Sequence, residues 1–327
     1  MILGLRKRGF DKVTPSDSRR QGFLNRLVDE YRASLKPPET EELINKILNR
    51  PAAFLVAKAF HKLGQGPNMV TLFSLLFGTS SGYFFTRGNY RSFVIAALLL
   101  ELMIIFDCAD GQLARFTGKS SQFGKTLDAM ADIMTHFSIF YGVAFALYHE
   151  TATLLPFVLA VGSQISMYLH IIFFDHFKNV FIYVTRPDYP DKTLKLDVLK
   201  EQIRKYSEMG QRIRALAAKL YYNFYRVEFA IVSAGYMPYA KSPLKLIPTP
   251  ENVDQSRRDI FYREMKPVVM VWALIGDTIH LTIFVACGLA GRIDFIFPVL
   301  LIYTNAVMVF ALFLQRAKFR KLQGSFF

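Results

Sequence analysis

The sequence predicts an all-α integral membrane protein with six transmembrane helices, an N-terminal amphipathic interfacial helix and a cytoplasmic helical insertion. Three observations predict this fold class. Apolar residues make up 52% of the 327 residues, they concentrate in stretches long enough to cross a bilayer, and basic residues avoid the connections predicted on one side. The 31 Phe and 16 Tyr suit a membrane-embedded body with aromatic anchors at the interface.

The chain before the first span divides into two segments. Residues 1–37 are polar and basic, and we expect a cytoplasmic arm. From about Pro38, where nearby glutamates favour a helix N-terminus, apolar residues recur at helical spacing as far as residue 63. The pattern predicts an amphipathic juxtamembrane helix over 38–63, with Arg50 on its polar face, lying on the cytoplasmic membrane surface. A soluble helix packed on the body would show the same spacing.

Six apolar stretches are the predicted spans: roughly 67–86, 91–117, 121–148, 152–175, 267–290 and 293–315. Spans one to four form a transmembrane segment over 64–175, and spans five and six with a basic tail cover 267–327. Between them, residues 176–266 are polar and long for a loop, and 193–235 has the composition of a helix. We expect a cytoplasmic insertion that caps the site, although a partner-binding insertion fits equally well.

The distribution of positive charge predicts the orientation in the membrane. The three connections predicted on one side carry only Arg87, Arg91 and Arg292, while the other 37 of the 40 Lys and Arg lie elsewhere. The positive-inside rule therefore places both termini, and the connection near residue 120, in the cytoplasm. Basic clusters there also attract anionic lipid headgroups. Because the charge sorts by membrane side, it does not indicate a nucleic-acid-binding module.

Four aspartates lie in the second and third predicted spans at fixed spacing. Asp107 and Asp110 are three residues apart, and Asp128 and Asp132 are four apart, so each pair shares a helical face. A short turn between antiparallel helices brings the two faces together. A carboxylate at membrane depth marks a functional site, and four in one small volume repel strongly unless cations fill it. Two hard divalent ions, Mg²⁺ or Mn²⁺, are the natural occupants because no His or Cys accompanies the aspartates.

The residues between the aspartates are compatible with a bound diphosphate. Gly111 and Gly124 would let a ligand approach the backbone, and Ala114 keeps the next helical turn small. Arg115 can neutralise phosphate charge with a fixed fork of donors. Two alternatives are ion pairs between the aspartates and Lys or Arg, and a divalent-cation transporter. Few basic residues lie in the spans, and a conduction path does not explain the Gly, Ala and Arg positions.

The spacing also carries a family resemblance. The run Asp107-x2-Asp110-Gly111-x2-Ala114-Arg115-x8-Gly124-x3-Asp128-x3-Asp132 resembles the signature of the CDP-alcohol phosphotransferase family at every defined position. At the head of span one, Pro67-Asn68-Met-Val-Thr71 resembles the Pro-Asn-x-x-Thr of many members. The resemblance implies a phospholipid-synthesising membrane enzyme that cuts a CDP-linked alcohol at its diphosphate, releases CMP and passes the phosphoryl-alcohol to a second alcohol.

The resemblance also implies roles for individual residues. Asp107, Asp110 and Asp128 would be metal ligands, and Asp132 would touch one metal and act as general base on the acceptor hydroxyl. The candidates for binding the CDP moiety are Gly111, Ala114, Arg115 and Gly124, with Asn68 and Thr71 as weaker ones. The family's usual homodimer is expected as well.

The sequence leaves the two substrates open. Residues 123–132 resemble members that use a lipid-linked CDP, which favours a phosphatidyl group, whereas Leu48-Asn49-Arg50-Pro51 resembles members that transfer inositol phosphate. An acidic acceptor would need cationic groups near the metals. The candidates are Lys125, His136, Arg226, Arg263 and Lys266, and His136 lies one turn beyond Asp132. Further polar candidates on the acceptor side are His170, Asp175, His176, Asp277 and His280.

Overall fold

Helices and turns account for the secondary structure of the part of the chain that the computed structural model describes, residues 23–186, 196–236 and 253–326. The N-terminal elements are α1 (Phe23–Ser34), a 3-10 turn (Pro38–Thr40), and a π turn (Asn45–Asn49) that runs into α2 (Arg50–Lys62). The predicted helix therefore begins later than Pro38. Glu41 is extended at the end of the 3-10 turn, and its carboxylate pairs with Arg50 at 3.0 Å. Residues 1–22 of the predicted arm lie outside the described residues.

Among the described residues, six helical stretches are long and apolar enough to cross a membrane, which agrees with the predicted number. The first four are α3 (Pro67–Thr86), α4 (Tyr90–Thr117), α5 (Gln122–Thr151) and α6 (Leu155–Thr185). The insertion contributes α7 (Leu196–Glu208) and α8 (Arg212–Tyr236). The last two stretches are α9 (Gln255–Trp272) with α10 (Asp277–Ala290), and α11 (Ile296–Val299) with α12 (Asn305–Phe326).

Three of these helices extend beyond the predicted spans. α6 continues to Thr185 rather than ending near residue 175, α9 begins at Gln255 rather than near residue 267, and α12 continues to Phe326 rather than ending near 315. The start of α9 is polar in sequence because only one of its faces is apolar, and the apolar end of α6 follows a polar stretch at 175–179. The extensions meet in a buried cluster that includes Phe181 of α6 and Phe261 of α9. Gly210, with a positive φ of 68°, separates α7 from α8 where one helix was predicted.

Small residues bring α3 and α5 into close contact next to the aspartates. A methyl group built at Gly82 would overlap the backbone of Ser138, and one at Gly142 would overlap the Gly82 carbonyl. Gly78 similarly faces Thr135. Close backbone approach of this kind is a common way to pack helices in a membrane. It holds the third span, which carries Asp128 and Asp132, against the first.

We expect Gly82→Ala to destabilise the protein by about 1–3 kcal/mol, the usual cost of overpacking, because the Ser138 backbone cannot move aside independently of α5. Thermal unfolding in detergent measures the effect. Gly162→Ala is the matched control, since its added methyl group would meet only Leu301 Cδ2 at 4.0 Å. Equal melting temperatures for the two variants would contradict this account of the packing.

The fifth apolar stretch is broken at Gly276. A 3-10 turn (Ala273–Ile275) ends the first half, and Gly276 is extended before α10 begins. Glu42 caps the new N-terminus, because its Oε2 accepts a hydrogen bond of 3.0 Å from the Ile279 N–H. A Cβ at Gly276 would collide with the Glu42 carboxyl group. The segment ahead of the first span thus fixes the position of the fifth.

Glu42→Gln should stabilise the protein increasingly as the pH rises. Burial, with the charges of Asp277 and Glu41, raises the pKa of Glu42 to about 8. The carboxyl therefore contributes stability that is present below its unfolded pKa of about 4.3 and is lost as the pH rises through about 8. Glutamine stays neutral and can still accept the hydrogen bond from Ile279.

The measurement is the melting temperature of both proteins between about pH 5 and pH 9. A gain of roughly 1–2 kcal/mol would raise it by about 2–8 °C at the upper end. Glu208→Gln is the control, because that carboxylate is exposed on α7. A difference between Glu42→Gln and the unmodified protein that does not change with pH would contradict the raised pKa of Glu42.

Candidate functional site

Three of the four aspartates meet between α4 and α5. Carboxylate oxygens of Asp107, Asp110 and Asp128 lie within 4.8 Å of one another. Asp110 is buried and the other two are half-buried. Thr71 Oγ1 donates a hydrogen bond of 2.6 Å to Asp110 Oδ2, which orients that carboxylate. A purely carboxylate donor set fits a hard divalent cation, so these residues could hold one.

Asp132 lies beside this group and outside it. It is half-buried, one turn beyond Asp128 on α5, and within electrostatic reach of Asp107, Asp128 and Asp277. The helix spacing therefore places it next to the acidic triad, as expected. Its roles as metal ligand and general base stay predictions.

The candidates for nucleotide binding flank the triad on the side of the α4–α5 turn. Asn68 Oδ1 stands 3.0 Å from the position that a Gly124 Cβ would occupy. Arg115 arches over Gly111, with Nη1 3.3 Å from a Cβ built there, and its Nε donates to the Ser34 carbonyl at 2.7 Å. Ala114 is half-buried on the same helix. An open pocket next to Gly124 is lined by residues 66–69 and 119–121.

Two basic residues from the N-terminal segment approach the site, and neither is among the predicted site residues. Arg50 is buried rather than on a polar face, and its Nη1 donates to the Cys108 carbonyl at 3.2 Å. The Gln112 Nε2 donates in turn to the Arg50 carbonyl. Lys36 lies within electrostatic reach of Asp107 and Asp128. Burial and the charges of Lys178 and Arg50 lower the pKa of Lys36.

Of the five residues predicted on the acceptor side, only His136 is buried. Its Nε2 lies 3.2 Å from Asp277 Oδ1. The other four are on helix surfaces of three different elements: Lys125 on α5, Arg226 over the Tyr222 ring on α8, and Arg263 and Lys266 on α9. The structure therefore does not gather the predicted cations into one cluster.

The further polar candidates separate into two groups. His170 and His280 are hydrogen-bonded to each other at 3.0 Å, and His280 adjoins Asp277 in the α10 N-terminal turn. Asp175 instead pairs with Lys178 on its own helix. The ring of His176 packs against Phe177, 5.3 Å away.

Comparison with known proteins supports the resemblance seen in the sequence. Residues 65–185, which contain Thr71 and all four aspartates, match the model of the family described as CDP-alcohol phosphatidyltransferase. This match confirms the predicted family resemblance over that segment.

Three relatives illustrate the range of activities among proteins similar to this chain. The chain is 35% identical over 89 residues to archaetidylinositol phosphate synthase of Pyrococcus horikoshii, covering 27% of this chain and 46% of the relative. It is 32% identical over 119 residues to phosphatidylinositol phosphate synthase of Corynebacterium glutamicum, which covers 35% of this chain and 53% of the relative. It is 34% identical over 108 residues to CDP-diacylglycerol–glycerol-3-phosphate 3-phosphatidyltransferase of Aquifex aeolicus, which covers 33% of this chain and 58% of the relative. The chain spans about half the length of the curated relatives it matches.

Proposed function

We propose that this protein, whose residues 65–185 match the CDP-alcohol phosphatidyltransferase family, is a membrane transferase of phospholipid biosynthesis. It moves a phosphatidyl group from CDP-diacylglycerol to an acceptor alcohol and releases CMP. The observation that carries the proposal is the carboxylate triad of Asp107, Asp110 and Asp128 inside the matched segment.

The donor diphosphate would lie between the triad and basic side chains. Divalent ions, Mg²⁺ or Mn²⁺ and two in number, would withdraw charge from the diphosphate and stabilise the leaving CMP when bound. Arg115 and Lys36 supply positive charge close to the same place. Gly111 and Gly124 leave room for the nucleotide beside Asn68, and Thr71 holds Asp110 in a fixed orientation. These side chains bind and orient the donor.

The transfer itself needs a base on the acceptor hydroxyl. Asp132 stands next to the triad and takes that proton as the acceptor oxygen attacks the β-phosphorus. The new P–O bond forms, the bond between the β-phosphorus and the bridging oxygen breaks, and its electron pair leaves with CMP. Asp132 then gives up the proton to water.

Transfer of inositol phosphate from its CDP derivative is the alternative. It rests on the resemblance of the segment from Leu48 to Pro51 to members that transfer inositol phosphate. Arg50 accounts for part of that segment in another way, because it braces the backbone of α4 at Cys108. A divalent-cation transporter is the candidate from a different class. It would show ion flux with no dependence on CDP-alcohols.

The site is proposed to face the cytoplasm, with both termini on that side. The unequal distribution of Lys and Arg supports this orientation. The apolar residues Leu55 and Leu63 at the end of the N-terminal segment are 71% and 70% exposed, which suits a helix lying in the membrane interface. Cysteine labelling from outside should reach residues 149–151 and 291–292, and labelling from inside should reach the α7–α8 insertion. The reverse pattern would overturn the topology.

The family's usual homodimer is also proposed, on resemblance alone. Mass measurement in mild detergent or lipid nanodiscs should give two chains per particle. A particle of one chain would contradict it.

The function is tested by CMP release from a panel of CDP-alcohols, each combined with a panel of acceptors. We expect release from CDP-diacylglycerol that requires both an acceptor and a divalent ion. Release only from CDP-inositol would favour the alternative. Metal flux into vesicles without any CMP release would favour the transporter.

A further inference from the structure

A buried polar pocket lies beside Asp132 where the fifth stretch is broken. Its three side chains come from different helices: His136 from α5, Tyr168 from α6 and Asp277 from α10. The His136 ring meets the Tyr168 ring edge-on, with centroids 5.9 Å apart, and its Nε2 is 3.2 Å from Asp277 Oδ1. The side chain of His136 is only 3% exposed, whereas that of Asp277 is 34% exposed.

Polar atoms in this pocket lack hydrogen bonds although they are buried. His136 Nε2 and Asp277 Oδ1 face each other at 3.2 Å, whereas His136 Nδ1 and the Tyr168 hydroxyl have no hydrogen-bond partner. Gln164 is close enough to influence Tyr168, but it does not complete a bond. Leaving a buried polar group unsatisfied is costly, so proteins rarely do so. Two such atoms on adjacent helices, within electrostatic reach of the proposed base Asp132, indicate a place for a polar ligand.

The wall behind the pocket is, by contrast, fully hydrogen-bonded. The Gly276 carbonyl can only accept, so His280 Nδ1 carries a proton and donates to it at 2.8 Å. His280 Nε2 then accepts from His170 Nδ1 at 3.0 Å. His170 Nε2 accepts from Ser166 Oγ at 3.4 Å, and Ser166 accepts from Asn305 Nδ2 at 2.7 Å. One consistent assignment with both imidazoles neutral satisfies the chain.

This chain ties the first turn of α10 to α6. The Gly276 carbonyl accepts from His280 in the same turn, and His280 Nε2 accepts from His170 of α6. Asp277 begins that helix and lies 3.2 Å from His136. The hydrogen bonds on this side are therefore complete where those of the pocket are not.

We propose that His136, Tyr168 and Asp277 bind a hydroxyl group of the acceptor other than the one that attacks, so that the acceptor is a polyol. The proposal rests on the proposed function. With its Nε2 proton directed to Asp277, His136 offers the lone pair of Nδ1 to an O–H donor. The Tyr168 hydroxyl can donate to the same ligand, and Asp277 can accept through its second carboxylate oxygen. A polyol can satisfy all three and still present a neighbouring hydroxyl to Asp132.

The experiment compares each polyol acceptor with an analogue that lacks one hydroxyl. CMP release is measured with glycerol 3-phosphate and 3-hydroxypropyl phosphate, with inositol 1-phosphate and its monodeoxy forms, and with serine. Each good hydrogen bond changes affinity by roughly 2- to 10-fold, and by more when its loss leaves a buried partner unsatisfied. We therefore expect the unmodified protein to prefer one parent polyol over a deoxy analogue by roughly 10- to 100-fold in kcat/KM.

Two variants should remove most of that preference. Tyr168→Phe and His136→Asn should raise the KM for the polyol and leave the KM for CDP-diacylglycerol unchanged, so that parent and deoxy acceptors become nearly equal. The controls are Tyr183→Phe, on the same helix as Tyr168, and His149→Gln, exposed at the far end of α5. Unchanged discrimination in both test variants, an equal rise of both KM values, or a preference for serine would overturn the proposal.

A binding measurement separates failure of this proposal from failure of the proposed function. Calorimetry on the Asp132→Asn protein with Mg²⁺ and CDP-diacylglycerol should show binding of the polyol phosphate that weakens at least tenfold when Tyr168→Phe is added. This result does not depend on turnover. Absence of CMP release with intact polyol binding would count against the transferase, whereas release without polyol binding would count against the pocket.

Discussion

Asp132→Asn should lower turnover by about 10²–10⁴, the usual contribution of a general base, and leave the affinity for CDP-diacylglycerol close to that of the unmodified protein. Asparagine keeps the size of aspartate and one carbonyl oxygen, but it cannot take the acceptor's proton. Because Asp132 stands outside the close group of three carboxylates, removing its charge leaves the donor site largely intact. Single-turnover CMP release and the donor Kd by calorimetry measure the two effects separately.

Asp294→Asn is the control for this prediction, since that carboxylate is 52% exposed in the connection before the last span. It should change neither quantity. A donor Kd that rose in proportion to the loss of rate would show that Asp132 is chiefly a metal ligand. His136, which lies one turn further along α5, would then be the first residue to test as the base.

Asp128→Asn should abolish turnover and weaken divalent-cation binding together. Asp128 is the only member of the close group on α5, so the substitution leaves just the two carboxylates of α4. One of those, Asp110, stays oriented by Thr71. Mn²⁺ binding followed by electron paramagnetic resonance measures the loss independently of activity.

The Asp132→Asn protein serves as the matched comparison, because it removes the same charge one turn away. It should retain most of the Mn²⁺ affinity that Asp128→Asn loses. Equal Mn²⁺ binding in the two variants would contradict the ligand set. Activity of the unmodified protein that survived EDTA without added metal would contradict metal dependence altogether.

The core of the site could be predicted from the sequence because its information is local. Helical spacing places Asp107 with Asp110, and Asp128 with Asp132, and a four-residue connection leaves little freedom in how the two helices meet. The six apolar stretches were equally readable, since bilayer thickness sets their length. The extended ends of the helices were not, because an amphipathic extension such as the first part of α9 averages to a hydrophilic composition.

The contribution of the N-terminal segment could not be predicted in this way. Glu42 caps α10 across more than two hundred residues of sequence, and nothing in its own neighbourhood indicates that partner. Arg50 has the same spacing as an exposed basic residue, yet it is buried against α4, where its Nη1 donates to the Cys108 carbonyl and its Nη2 to Glu41. Lys36 is a further case, because it lies within electrostatic reach of Asp107 and Asp128, which are distant in sequence. The positions of such polar side chains depend on partners far along the chain, and hydrophobic periodicity does not reveal those partners.

The most direct test of the central claim follows the two phosphorus atoms of the donor. CDP-diacylglycerol labelled with ³²P at either the α or the β position is incubated with the protein, Mg²⁺ and the acceptor. Attack of the acceptor oxygen on the β-phosphorus predicts that the β label appears wholly in the new phospholipid and the α label wholly in CMP. Appearance of the β label in CMP would contradict the account. So would transfer of the β label from CDP-diacylglycerol to another lipid when no acceptor is present.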